Sequence, residues 1–234
     1  MSEVTNPIQA CNDIFLKPNG VFKAISEKDN WSWLPFFIVV VFATVPGYLY
    51  FGIVDFDWFQ TMQIQQSMPD ASPAEIESYK AASSADMNQM IVLISGIIGL
   101  IIVAAVQALY HTLVTRNDEK SIHSFLDWYG AQWWMFLPSV LSALAACVLI
   151  LLLEPGAQQS EAILAPFSLA YIFGVEKTSS FFSLMMGIRL ESIWSIYLAS
   201  VCISQWTNFS KQKSVIVAVI PTLIILGLTA AFTL

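Results

Sequence analysis

Charge is what this chain has least of. Asp, Glu, Lys and Arg make up 12% of its 234 residues, about half of what a soluble domain carries. The ten Lys and Arg are scattered and outnumbered by 17 Asp and Glu, for a net charge of -7, which excludes the clustered basic face that nucleic acid asks for. Only two histidines are present, His111 and His123. With them go an HExxH zinc helix, and the chain also lacks a GxSxG elbow, a GxxxxGK[ST] phosphate loop and paired carboxylates inside an apolar stretch. The sequence therefore predicts no enzyme, no metal site and no cofactor. Three isolated cysteines, Cys11, Cys147 and Cys202, exclude a disulfide framework and read as reduced, apolar side chains.

What is abundant is uninterrupted apolar chain. The sequence is 56% hydrophobic, and five stretches carry no charged residue at all: 33–53, 90–115, 128–153, 192–209 and 214–234. Each is long enough, at roughly 18 to 26 residues, to cross the hydrocarbon core of a bilayer. The expected fold is an all-α integral membrane protein. It has one five-transmembrane-helix bundle over residues 33–234, preceded by a segment of interfacial helices over 1–32. Those first residues are polar and lack a small-residue cleavage site, so no cleaved signal peptide is expected. Trp31, Trp33 and Trp58 flank the first span as aromatic anchors, and Pro46 should kink it unless Thr44 relieves the freed carbonyl.

If the spans alternate, Lys17, Lys23, Lys28, Arg116, Lys120, Lys211 and Lys213 share the N-terminal side, leaving Lys80, Lys177 and Arg189 on the other. Positive-inside bias then places the N-terminus in the cytoplasm and the C-terminus outside. In the first outer connection Ser72-Pro73-Ala74-Glu75 has the pattern of a capping box, which predicts a helix continuing as one rod into the second span. The second outer connection holds an apolar run, Ile163 to Phe173, too short to cross. It should lie in the interface or re-enter the bundle.

Several short motifs resemble the Yip1 domain family, particularly its bacterial branch. They are Asn6-Pro7 followed by Pro18-x-x-x-Phe22, Tyr129-Gly130 leading to Leu137-Pro138, Ser192-Ile193-Trp194-Ser195, and the basic turn Ser210-Lys211-Gln212-Lys213. The resemblance runs from about residue 6 onward and implies a five-helix domain with N-in, C-out topology. Eukaryotic members add long cytosolic tails and are associated with vesicle traffic, small GTPases and membrane shaping, whereas only some thirty residues precede the first span here. Arg189 and Glu191 depart from the more apolar or singly acidic stretch expected before the Ser-x-Trp.

Ionisable groups at membrane depth are the candidate site residues. Arg189 and Glu191 open the fourth span at the depth of Asp55, Asp57 and Glu154. An ion pair among them would tie helices together, or the guanidinium could recognise a phosphate or headgroup from an outward vestibule. His111, one turn after Gln107, either hydrogen-bonds between helices or serves a relay, with Gln132, Gln205 and Asn208 at similar depth. Pairs of small residues, Ser95/Gly99, Ala104/Ala108, Ser139/Ala143 and Ser142/Ala146, suit close helix packing within the chain or between chains. Two functions remain open. One is a non-enzymatic protein of the bacterial cytoplasmic (inner) membrane that organises lipids, copies of itself or partner membrane proteins. The other is a small lipid or solute translocator with Pro46, Pro138 and Pro221 as bending points and its outer site near Arg189. A largely apolar middle leans towards the first.

Overall fold

The computed structural model describes residues 4–233, and over them the chain is all helical, with two isolated β-bridges and no strand. Asn6 accepts a hydrogen bond from the Gln9 amide at 2.8 Å and Pro7 occupies the first turn, which starts α1, Pro7–Leu16. Pro18 then begins α2, Pro18–Ile25. The chain turns at Asn30, the one non-glycine described residue with a positive φ, a conformation asparagine tolerates.

The first long helix, α3, spans Trp33–Ile53 as expected; its 21 residues are about 32 Å long. Pro46 deprives the Phe42 carbonyl of its partner. The Thr44 hydroxyl, however, donates to the Val40 and Val41 carbonyls at 3.0 and 3.2 Å, two residues and one residue before the vacated position. Asp55 caps α4, Phe56–Ser67, and the Ser72/Glu75 capping box forms, opening α5, Pro73–Ala81.

The expected rod does not form: α5 stops at Ala81 and α6, Ala85–Thr115, starts afresh. The reason is a second cap. The Ser84 hydroxyl accepts from the Met87 amide at 3.2 Å, while Gln60 grips the turn through the Ser83 hydroxyl at 2.9 Å. The third apolar stretch is likewise two helices, α7, Phe125–Phe136, and α8, Pro138–Leu151, bent by 41°. Pro138 cannot donate to Trp134, so the Leu137 amide bonds that carbonyl at 3.4 Å and the ladder tightens and breaks.

Beyond α8 the apolar run folds back on the bundle. A 3-10 turn at Glu161–Leu164 buries Ala162 and Ile163, and the short helices α9, Leu169–Ile172, and α10, Phe182–Gly187, follow. Then come α11, Leu190–Trp206, two residues earlier than expected and ending three earlier, and α12, Lys211–Thr233. Among the described residues three helices, α3, α6 and α12, are long and apolar enough to cross a membrane, and the bent α7–α8 pair, taken as one span, makes a fourth.

α3 packs between α6 and α8, and α11 packs against α12, α8, α7 and α2. At one end lie α1, α2 and the connections 116–124 and 207–210, tied by Trp206 Nε1 to the Phe22 carbonyl (2.9 Å) and by the Asn208 amide to Asp118 (3.0 Å). At the far end lie 54–84 and 154–189, tied by the Asp55 amide to Ala157 (3.0 Å) and by the Tyr50 hydroxyl to Gln159 (2.6 Å). The N-terminal helices are more than surface attachments: Ala10, Ile14, Val21 and Phe22 are wholly buried, while Ile8 and Leu16 stay exposed.

α3 and α6 approach closely at Gly47, where an added Cβ would collide with the Val92 side chain. Gly47→Val should lower stability by about 1–3 kcal/mol, read as a lower Tm in detergent. Gly99→Ala, whose Cβ meets nothing within 4 Å, should instead raise stability by about 0.5–1 kcal/mol.

Candidate functional site

Polar side chains collect at the two ends of the bundle, and the ends differ. At the N-terminal end the core is aromatic: Trp128, Trp133 and Trp134 are buried beside Phe22. Trp134 reaches the Ser32 hydroxyl at 3.1 Å, and Gly130 makes room for it, since a Cβ there would sit 2.8 Å from that oxygen. His111, buried on α6, is 2.8 Å from the Gln132 side chain of α7 through its Nδ1 and stacks on Trp128 at 5.1 Å. With the Gln132 amide donating, the proton of the neutral ring sits on Nε2. That atom, Gln132 Oε1 and Trp128 Nε1 are all buried without a partner. His123 extends the stack, lying parallel to Trp206 at 3.9 Å. Burial holds its imidazole below the usual histidine range, Asp127 opposing and Lys120 adding to the effect.

Of the residues singled out around His111, the structure brings in Gln132 alone as a side-chain partner. Gln107 is half-buried a turn away, Gln205 bonds Asn19 at 2.9 Å, and Asn208 caps against Asp118. This geometry links helices. No carboxylate faces the ring to receive a proton in a relay among these contacts.

At the far end the expected ion pair of Arg189 is absent among the described residues. Arg189 is exposed, precedes α11, and donates Nε to the Met186 carbonyl at 3.1 Å. Its backbone is held in the bridge to Ser168. Glu191 is buried in the first turn of α11 with neither carboxylate oxygen partnered; its favourable neighbour is the positive end of the helix dipole. Asp55 accepts from the Trp58 amide at 3.0 Å and Gln158 at 3.3 Å, which holds its carboxyl below the usual range. Asp57 pairs with Lys80 at 2.7 Å. Glu154 is exposed in the turn after α8.

The far end instead organises around residues to which the sequence assigned no role. Lys177 Nζ forms an ion pair with Glu161 at 2.8 Å and lies 5.4 Å from the Phe59 ring centroid. It lines a cavity of about 440 Å³ between α4 and the 158–178 segment. Lys177 and Glu161 are sixteen positions apart in an irregular stretch, so no helical or strand spacing advertises the pair. Among the described residues no three His, Cys, Asp or Glu converge to hold a metal ion.

Against known families, the Yip1 domain model matches residues 12–232, nearly the whole chain. The chain belongs to the Yip1 domain family. No curated protein and no solved structure matches it. Both the apolar helices and the family make this Yip1 protein a membrane protein.

The His111–Gln132 contact is testable as a packing pair. Gln132→Leu strands a buried histidine nitrogen and should cost about 1–3 kcal/mol. Adding His111→Phe should restore most of it, as a double-mutant cycle on thermal unfolding in detergent would report.

Proposed function

We propose that this Yip1 protein is a non-enzymatic organiser of the bacterial cytoplasmic membrane. In this reading five passes cross the bilayer, with residues 1–32 on the cytoplasmic side, the membrane domain over 33–234 and the C-terminus outside. The alternating ends described above support that threading: the connections rich in Lys and Arg gather with α1 and α2, and the acidic ones gather opposite. At 17 residues α11 is about 26 Å long, short of the roughly 30 Å core. A bilayer absorbs such a mismatch by local thinning.

The organising role rests chiefly on one observation, the unspent face of α6. Two small-residue pairs lie on that helix. Ala104 and Ala108 are fully buried within the bundle, but Ser95 and Gly99 face outward in a shallow groove walled by Ile91, Ile94, Ile98 and Ile102. Few residues in the apolar stretch of α6 are fully buried by the rest of the chain, and Ile91, Ile94, Ile98, Ile102, Val103 and Val106 are exposed. A glycine in a helix interior costs about 0.5–1 kcal/mol relative to alanine. Close approach of another helix backbone, from a second copy or a partner protein, offsets that cost as contact with lipid chains does not. Translocation would ask for a polar path between the two ends, and its suggested anchor, Arg189, is engaged with Met186 at the surface.

The test is photocrosslinking in native membranes from Ser95→Cys carrying a benzophenone maleimide, with the three native cysteines changed to alanine. A discrete protein adduct is expected, reduced about five-fold or more when Gly99→Leu is added. Adducts to lipid alone, or a protein adduct indifferent to Gly99→Leu, would contradict the role.

A further inference from the structure

The far-end cavity has the size of a ligand site: about 440 Å³, within the roughly 300–1,000 Å³ of small-molecule pockets. Its walls are mostly apolar. Trp58 and Met62 come from α4, and Ala162, Ala170, Tyr171 and Val175 from the folded-back segment. Two nitrogens in this lining are buried: Gln66 Nε2, which has no hydrogen-bond partner, and Lys177 Nζ, whose three N–H groups have the Glu161 carboxylate alone, at 2.8 Å. A buried donor left unmatched is costly, and the free Gln66 amide and the remaining Lys177 N–H groups share one cavity. An acceptor from outside the chain would satisfy both.

Charge narrows the acceptor. An ammonium and an amide suit a phosphoryl oxygen. Around them, however, stand Glu161 beside Lys177, Glu176 on the cavity wall with the Thr178 hydroxyl at 3.4 Å, and Asp55 reached through Gln158. A plain anion entering this field meets more negative than positive charge. A phosphate ester that brings its own ammonium does not, because its positive group can face Glu176 while its phosphate meets Lys177 and Gln66. The apolar walls require hydrocarbon next to that headgroup.

We infer that this cavity holds the headgroup and upper acyl chain of a zwitterionic phospholipid with a primary ammonium. The inference depends on the membrane setting and not on lateral association through α6. It places the lipid site some distance in sequence from Arg189, on Lys177, Gln66 and Glu176.

The experiment is native mass spectrometry of the full chain, delipidated in detergent and titrated separately with phosphatidylethanolamine, phosphatidylglycerol and soluble phosphoethanolamine. One phosphatidylethanolamine per chain is expected, held about five-fold or more tighter than phosphatidylglycerol and about ten-fold or more tighter than phosphoethanolamine. Gln66→Leu and Lys177→Met should each weaken it, the latter about ten-fold, and the Lys177→Met/Glu161→Gln double variant guards against loss of fold from an unpaired carboxylate. Glu176→Gln should narrow the preference over phosphatidylglycerol at unchanged Tm. Equal affinity for the two lipids, or affinity unchanged in both Gln66→Leu and the double variant, overturns the assignment. So does phosphoethanolamine binding as tightly as the lipid, since the site would then serve a free headgroup. Loss of the Ser95 crosslink with retained lipid selectivity would fault the association through α6 alone.

Discussion

Hydrocarbon offers no hydrogen bonds, so every main-chain N–H and C=O inside the membrane must be answered within its own helix or by a neighbouring side chain. Much of this structure follows from that one constraint. Irregular backbone is kept to the two ends, where capping serines at 72, 84 and 124 and the Asp118–Asn208 contact satisfy exposed amides. Where a helix breaks within an apolar stretch, at Leu137–Pro138, both residues are buried among other helices, and Ser139 donates to the Phe136 carbonyl at 2.8 Å. The folded-back segment follows the same rule on a smaller scale: Leu169 and Leu190 draw their amide partners from Ile188 and Phe167.

The two ends divide the work of the fold. At the N-terminal end, tryptophans and Phe22 close the bundle with indole N–H groups bonded to Ser32 and to the Phe22 carbonyl, so that α1 and α2 become part of the core. Aromatic side chains suit this position because one edge is apolar and the other polar. The far end is looser, built from short helices and turns, and there Gln66 and Lys177 border an open cavity. An aromatic end and a looser, polar end give the molecule a direction even though the middle is largely apolar.

Much of this was legible in the residues themselves. The first span coincides with α3 because the charge-free run, its tryptophan flank and Asp55 mark both limits, and the Ser72 capping box forms as its four residues dictate. The rod through residues 73–115 fails because a second capping serine, Ser84, competes with helix continuation, and the pattern of a run does not rank two caps. The third apolar stretch forms two helices bent at Pro138 instead of one straight helix, for a reason also visible in the sequence. The Yip1 membership was readable from Pro18-x-x-x-Phe22, Ser192-Ile193-Trp194-Ser195 and the basic turn at 210–213. The candidate site was not. Arg189, Asp55, Asp57 and Glu154 share a depth, but depth says nothing of azimuth, and Lys80 lies nearer to Asp57 than any guanidinium. Lys177, Glu161 and Gln66 meet only through tertiary folding.

The central claim is that five helical passes alternate between two aqueous sides, with the short α11 as a genuine crossing. Single cysteines at 119, 208, 77 and 176 in a cysteine-free background, probed with a membrane-impermeant thiol reagent on intact and opened cells, test it most directly. Positions 119 and 208 should react only after opening, and 77 and 176 already in intact cells. If 176 and 208 were labelled from the same side, α11 would not cross and the account would fail.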